Sequence, residues 1–563
     1  MKMKAAVFLA ATILALATAP ARAEVKPNGL FGDGAVLQQK IAVPVWGAAR
    51  DGEKVTVKFQ GQNVSTVAKD GRWLVKLKPL KAGGPFAMTI IGDNTITITN
   101  VLVGEVWLCS GQSNMGFKLY RAENAQGAMA AAADSQLRLY AVPHAAVDSP
   151  LIDVAGTWAA SSPVVTSNFS AVAYFFGKHL RAALQVPVGL IESSVGGVPA
   201  EAFVAHATLE NDPELEKILE LQAQRVKEFN PLKAAADHRE ELVKYQMAVK
   251  NAEVEGKTPP VAPKPMDNPA HSSKRPSSLY NTMIAPLQPF ALAGVIWYQG
   301  ESNAGRAEQY KKLFSALIQN WREGWGQGSF PFLFVQIAPY NGTRQEIRDA
   351  QLWTWQHVPR TAMVGTMDVG EEKNIHPLKK EPVGARLALA ARAIAYGEKV
   401  EYSGPVFDRM KIKGNQAEIS FTHLGSGLMA AQPPGSTGNL PVPRGDPPRG
   451  MGKPAQHVLG VRGQGDVPSL PSGQWPDGTG GSPVPPISTS EFGLKGFSVA
   501  AADGNFVPAN AIIKGEKVFV SAEAVSKPVA VRYGWAKVPD ANLFNREGLP
   551  ATPFHTDEKY IDP

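Results

Sequence analysis

The chain has one cysteine in 563 residues, Cys109. That excludes an intrachain disulfide framework, and a lone thiol in an apolar segment reads as a small buried hydrophobe. A chain this long can bury a stabilising core without cross-links. Beyond residue 23 no run is apolar enough to span a bilayer. The charge imbalance is small: the formal net charge is +7, and +4 once Lys2, Lys4 and Arg22 are set aside with the segment that carries them. For this size, that excludes nucleic acid or an anionic surface as an electrostatic partner. No His, Asp or Glu cluster has metal-ligand spacing, and no glycine-rich loop has the form of a phosphate cradle, so neither metal nor cofactor is expected.

What is present begins with an export signal. Lys2 and Lys4 form a basic start, Ala5 to Ala17 a mostly apolar run, and Ala21-Arg22-Ala23 a small-residue cleavage site. Cleavage after Ala23 predicts a periplasmic or secreted protein. Residues 24–103 then read as β throughout. Val55-Thr56-Val57-Lys58-Phe59, Trp73-Leu74-Val75-Lys76-Leu77 and Thr95-Ile96-Thr97-Ile98 are strand-like, with Asp70-Gly71 and Gly92-Asp93-Asn94 as turns. Short strands at regular spacing suggest a small β-sandwich.

From 104 to about 400 strands and helices alternate, which argues a parallel sheet covered on both faces. Val106-Trp107-Leu108, Val188-Gly189-Leu190-Ile191, Ala293-Gly294-Val295-Ile296-Trp297-Tyr298, Phe332-Leu333-Phe334-Val335-Gln336-Ile337 and Thr361-Ala362-Met363-Val364-Gly365-Thr366 read as buried strands. Helices are expected over 168–185, around Tyr310 to Trp321, and from about Pro382 to Tyr396. Residues 205–278 interrupt this pattern with charged helical runs (Pro213 to Phe229, Leu232 to Glu255) and a Pro-rich tail. Residues 401–563 read as a second β domain, split at 433–486 by a segment with 13 Pro and 12 Gly in 54 positions. That composition cannot bury enough surface to offset the entropy of ordering it.

Four loops follow four predicted parallel strands and should therefore open on one rim, where open α/β sheets bind ligands. They carry Ser113, Gly196-Gly197, Gln299 to Asn303, and Asp368 to His376. Serine is a poor nucleophile until a base takes its proton, and histidine suits that task near neutral pH. Glycine-loop N–H groups and an amide side chain can stabilise the resulting oxyanion.

Gly111-Gln112-Ser113-Asn114-Met115, Gly196-Gly197-Val198-Pro199, Trp297-Tyr298-Gln299-Gly300-Glu301-Ser302-Asn303 and Ile375-His376-Pro377 resemble the conserved blocks of SGNH hydrolases. Within that superfamily the chain is similar to the sialate O-acetylesterase-like carbohydrate esterases. The likeness covers most of 28–430 and about 491–557. It implies an α/β fold, a three-layer, flavodoxin-like SGNH core between flanking β-sandwich domains. It also implies Ser113 as nucleophile, His376 as general base, and the N–H groups of Ser113 and Gly197 or Gly196 as oxyanion donors. Gln299 is the favoured side-chain donor, with Asn303 as a contact either to substrate or to the groups that hold it.

In the acid position the chain departs from the family. SGNH hydrolases often carry Asp three residues before the histidine, where it orients the ring; here that residue is Lys373. Asp368 and Glu301 are the alternatives, and a dyad supported by a backbone carbonyl is a third. The resemblance implies an exported serine esterase that removes O-acetyl groups from sialic acid or plant glycans, with no cofactor. Two other readings stay open: an inactive glycan-binding protein on the same scaffold, and a short-chain lipid or aryl esterase. Oligomeric state is not legible.

Overall fold

A computed structural model describes residues 24–431 and 493–557. Residues 1–23, expected from the sequence to be a signal segment, and the Pro/Gly-rich segment 433–486 lie outside the described residues.

The organising element is one strand of 17 residues, Thr95–Gly111. Its first half alternates exposed and buried residues and pairs antiparallel with Gly83–Ile91 in the amino-terminal β region. Its second half, from Val101 to Gly111, is buried throughout and enters the central sheet. Of the N-terminal strands, Lys26–Pro27, Val43–Ala48 and Arg72–Leu77 form a separate three-stranded sheet, while Val36–Gln38, Lys54–Phe59, Gln62–Val67 and Gly83–Ile91 join the central sheet through Thr95–Gly111. In Arg72–Leu77 the period-2 pattern puts Trp73, Val75 and Leu77 inward and leaves the alternate residues exposed. One continuous apolar core joins this region to the central layer, and Phe31 sits between Trp46 and Phe290. The chain therefore passes position 104 inside a strand, with no linker there.

The central sheet runs Trp158–Ser161, Asp134–Ala141, Val188–Ser194, Thr95–Gly111, Gly294–Tyr298, Phe332–Val335, Thr361–Val364. All of these pair in parallel except the Trp158–Ser161 edge. Leaving aside the two outer strands beyond Val188–Ser194, the order is the 2-1-3-4-5 of flavodoxin-like sheets. Its switch point lies between Thr95–Gly111 and Gly294–Tyr298.

Register shows that the sheet is covered on both faces. Trp107 pairs with Gly294 and Ser110 with Trp297, so Trp107 and Trp297 point to opposite sides. Trp107 packs on Phe176 of helix Ala171–Leu184 and on Tyr396, just past helix Glu381–Ile394. Trp297 packs on Phe314 and Trp321 of helix Ala307–Trp325. Gly294 is required by the first contact, since a Cβ there would lie 2.6 Å from the Trp107 ring.

The 205–278 excursion contains helices Pro213–Glu228 and Pro231–Val254. Each starts with proline in its first turn behind a capping side chain, Asp212 and Asn230 respectively. The C-terminal region has two four-stranded sheets around a separate apolar core that includes Ile419, Val499, Val518, Val531 and Phe554. Arg348 of helix Glu346–His357 tethers it, donating to the carbonyls of Ala536 and Lys537.

Candidate active site

Three strands end level with one another. Gly111 is in register with Ser194 on one side and Tyr298 on the other, so the loops beginning at Gln112, Val195 and Gln299 leave the sheet at one height. Gly111 makes the exit possible. Its φ is +137°, and a Cβ would lie 2.2 Å from the Tyr298 carbonyl oxygen. Any other residue would push the turn off the neighbouring strand and move Ser113 with it.

Ser113 and His376 meet at this rim, with Oγ and Nε2 2.8 Å apart. Gly196 packs directly on the serine: a Cβ placed on it would be 3.5 Å from the Ser113 Cβ. Gly197 (φ +70°) follows with open space around it. The backbone N–H groups of Ser113, Gly196 and Gly197 have no hydrogen-bond partner among the described residues. Both glycines are exposed and Ser113 is half-buried, so solvent reaches this part of the rim.

Asn114 locks the serine loop to the histidine loop. Its Nδ2 donates to the Ile375 carbonyl (3.0 Å) and to Glu301 Oε1 (2.7 Å), while its Oδ1 accepts from Lys380 Nζ (2.6 Å). The histidine turn is stapled further. Asn374 Oδ1 accepts the His376 N–H, and Glu371 accepts from the Asn374 side chain and the Leu378 N–H. Asn374, beside the unexpected Lys373, thus serves the backbone rather than the ring.

The electrostatics are cationic. The His376 imidazole is held below its ordinary range, first by partial burial and then by Lys380 and Arg121. Lys380 is almost fully buried between the Phe117 and Tyr298 rings. Burial pushes its ammonium down to about 7, with Glu301 and Glu371 opposing the change. Burial also raises the Glu301 carboxyl.

The expected acid is in neither proposed place. Asp368 gives both carboxylate oxygens to Arg386, at 2.6 and 2.8 Å, in a pair almost closed to solvent. A bidentate guanidinium satisfies that carboxylate completely, so Asp368 anchors helix Glu381–Ile394 instead of orienting the ring. Glu301 reaches Asn114, and its Oε2 has no hydrogen-bond partner among the described residues. No carboxylate hydrogen-bonds His376 among the described residues.

The expectation of Gln299 as oxyanion donor is also corrected, and of the two places expected for Asn303 it takes the supporting one. Gln299 is fully buried, accepts from Tyr310 Oη (3.0 Å) and donates to Asn303 Oδ1 (2.7 Å). Asn303 Oδ1 in turn accepts the Ala200 N–H (2.9 Å), and its Nδ2 donates to Glu201 (2.9 Å). Buried amides satisfied in this way position the Gly197–Glu201 loop; neither faces Ser113 as a free donor. Asn114, Lys380 and Glu371 are contributors that pattern reading overlooked. Of these, only Asn114 had a signal, since it belongs to the serine block. No group of three or more His, Cys, Asp or Glu is gathered in a metal-holding arrangement among the described residues.

The sequence model described as "carbohydrate esterase, sialic acid-specific acetylesterase" matches residues 268–392. The chain is 32% identical to the rat sialate O-acetylesterase over 430 residues, covering 67% of this chain and 75% of the relative. It is 32% identical to the human sialate O-acetylesterase over 434 residues, covering 69% and 74%. A solved structure of a carbohydrate acetylesterase from Xanthomonas citri superposes with a TM-score of 0.72 at 34% identity, covering 95% of this chain and 99% of that one. With these relatives and this rim, the protein is a carboxylic ester hydrolase. More narrowly, the chain belongs to the sialate O-acetylesterase family of carbohydrate acetylesterases. No helix among the described residues is long and apolar enough to cross a membrane.

Proposed function

We propose that this protein is an exported serine esterase of the SGNH type that removes O-acetyl groups from a carbohydrate by way of an acetyl-enzyme. The observation that carries this reading is the 2.8 Å contact between Ser113 Oγ and His376 Nε2, beside backbone N–H groups with no partner among the described residues. His376 takes the Oγ proton as the oxygen attacks the acetyl carbonyl carbon. The tetrahedral oxyanion is met by the N–H of Ser113 and that of Gly197 or Gly196. Collapse breaks the bond to the sugar oxygen, and the imidazolium returns its proton to the departing alkoxide. Water, deprotonated by the same histidine, then releases acetate.

Serine and histidine act as a dyad in this scheme. The ring is oriented by its stapled turn, with Asn114 holding the Ile375 carbonyl and Asn374 the His376 N–H. Partial burial, Lys380 and Arg121 lower the proton affinity of His376, which favours the neutral ring that can accept the proton. Export rests on the signal pattern of residues 1–23, and the sugar on the relatives' names, which give sialate and carbohydrate; an acetylated plant glycan is the alternative to sialic acid.

The test is acetate release across a panel of O-acetylated glycans. Ser113→Ala is expected to lower kcat by about 10⁴-fold or more, as loss of a nucleophile does elsewhere, with the circular dichroism unchanged. Full activity in that variant would overturn the serine mechanism.

A further inference from the structure

A cavity of about 360 Å³ is lined by Gly197, the residue after the Gly196 that packs on Ser113. One wall is the catalytic rim, with Gly197, Ser302 and Arg306; the other is helix Pro213–Glu228 of the excursion. That helix presents Ile218, Leu221, Gln222 and Arg225 to the cavity, positions spaced by three and four along one face. Lys274, from the return of the excursion, completes the wall.

The charges there do not cancel. Glu201 is taken by Arg306 (2.6 Å) and Asn303 (2.9 Å), which leaves that corner neutral. Arg225 has no ion-pair partner among the described residues, and Lys274 has only a distant, exposed one, Asp267 at 3.7 Å. Two cations therefore flank an opening whose floor holds the apolar Ile218 and Leu221. A guanidinium is suited to take a carboxylate in a bidentate pair, and apolar side chains to take the C–H face of a sugar ring.

We propose that the excursion builds a sugar subsite next to Ser113 in which Arg225 and Lys274 hold the carboxylate of an acidic, O-acetylated sugar, a sialic acid or a uronic acid. The inference rests on the esterase reading above and adds the residues that select the substrate.

The test compares kcat/KM for acetate release from three substrates: O-acetylated N-acetylneuraminic acid, an O-acetylated xylo-oligosaccharide bearing glucuronic acid, and its neutral O-acetylated counterpart. The wild type and the Arg225→Gln/Lys274→Gln double variant are measured, with circular dichroism to check folding. The ratio of acidic to neutral kcat/KM is expected to fall about 10- to 100-fold in the variant, mostly through KM, the range for losing hydrogen bonds to a charged group. The acidic substrate that shows the fall identifies the source. An unchanged ratio, or equal loss on acidic and neutral substrates, removes the subsite and leaves the esterase reading standing. If the wild type releases acetate from none of the three, nor from 4-nitrophenyl acetate, both readings fall together.

Discussion

Two parts of the same rim treat their polar groups in opposite ways. At the junction of Ser113 with His376 the residues are half-buried or exposed, the backbone N–H donors have no partner among the described residues, and a side-chain bond joins nucleophile to base. A few residues away, Gln299, Asn303, Glu201 and Asp368 sit in buried bonds with Tyr310, Ala200, Arg306 and Arg386. Hydrogen bonds to buried partners are costly to leave unmade, so the second group gives rigidity. The first can meet a charge that forms only during reaction. A carboxylate or amide near a serine is thus no sign of chemistry until its partners are counted.

The sharpest way to break this contrast is at Asp368. If it anchors the helix, Asp368→Asn should destabilise the fold by about 3–5 kcal/mol, because Arg386 is left buried without its counter-charge. The folded fraction should keep kcat within a few-fold. Denaturant unfolding and acetate release measure the two effects. Loss of kcat by several orders of magnitude with stability intact would make Asp368 the missing acid.

Gln299 supplies a smaller effect of the same kind. Gln299→Leu should cost about 1–3 kcal/mol of stability by leaving Tyr310 Oη and Asn303 Oδ1 short of a partner. Loss of an oxyanion donor would instead lower kcat about 100- to 1,000-fold. A stability loss with kcat reduced only a few-fold supports the scaffold role; the reverse would return Gln299 to the oxyanion site.

The loops that proved legible in the sequence are those whose signal is local. Gly111 must be glycine for its turn, Ser113 follows it, and four apolar strands each stop at a turn cluster, so the rim could be placed from the order of residues, while the roles of Ser113 and His376 came with the family resemblance. The identity of the acid could not, because it depends on Arg386, a cation 18 positions after Asp368 that reaches back across a helix turn. Gln299 misled for a related reason: position at a strand end was legible, but the direction of its amide depends on Tyr310 and Asn303. Strand Asp134–Ala141 was missed because Arg138 breaks its apolar pattern. In the fold that arginine is buried, with bonds to Ser135 and Asn100. The N-terminal boundary blurred because one strand serves both regions.

The finest distinction concerns the cation beneath the dyad. Lys380 lies under Asn114, and its charge together with that of Arg121 adds to burial in lowering the proton affinity of His376. Since the base works only when neutral, the acid limb of kcat/KM should lie below about pH 6.5, the ordinary histidine value. Lys380→Met keeps an apolar chain between the Phe117 and Tyr298 rings and removes the charge. Imidazolium is then less disfavoured, its proton is held to higher pH, and the acid limb should move upward. A kcat/KM profile with 4-nitrophenyl acetate, wild type against variant, reads this directly. A downward move would reverse the sign of the electrostatics assigned to Lys380, and an unmoved limb would mean that Asn114 transmits position to the dyad but the ammonium transmits no charge.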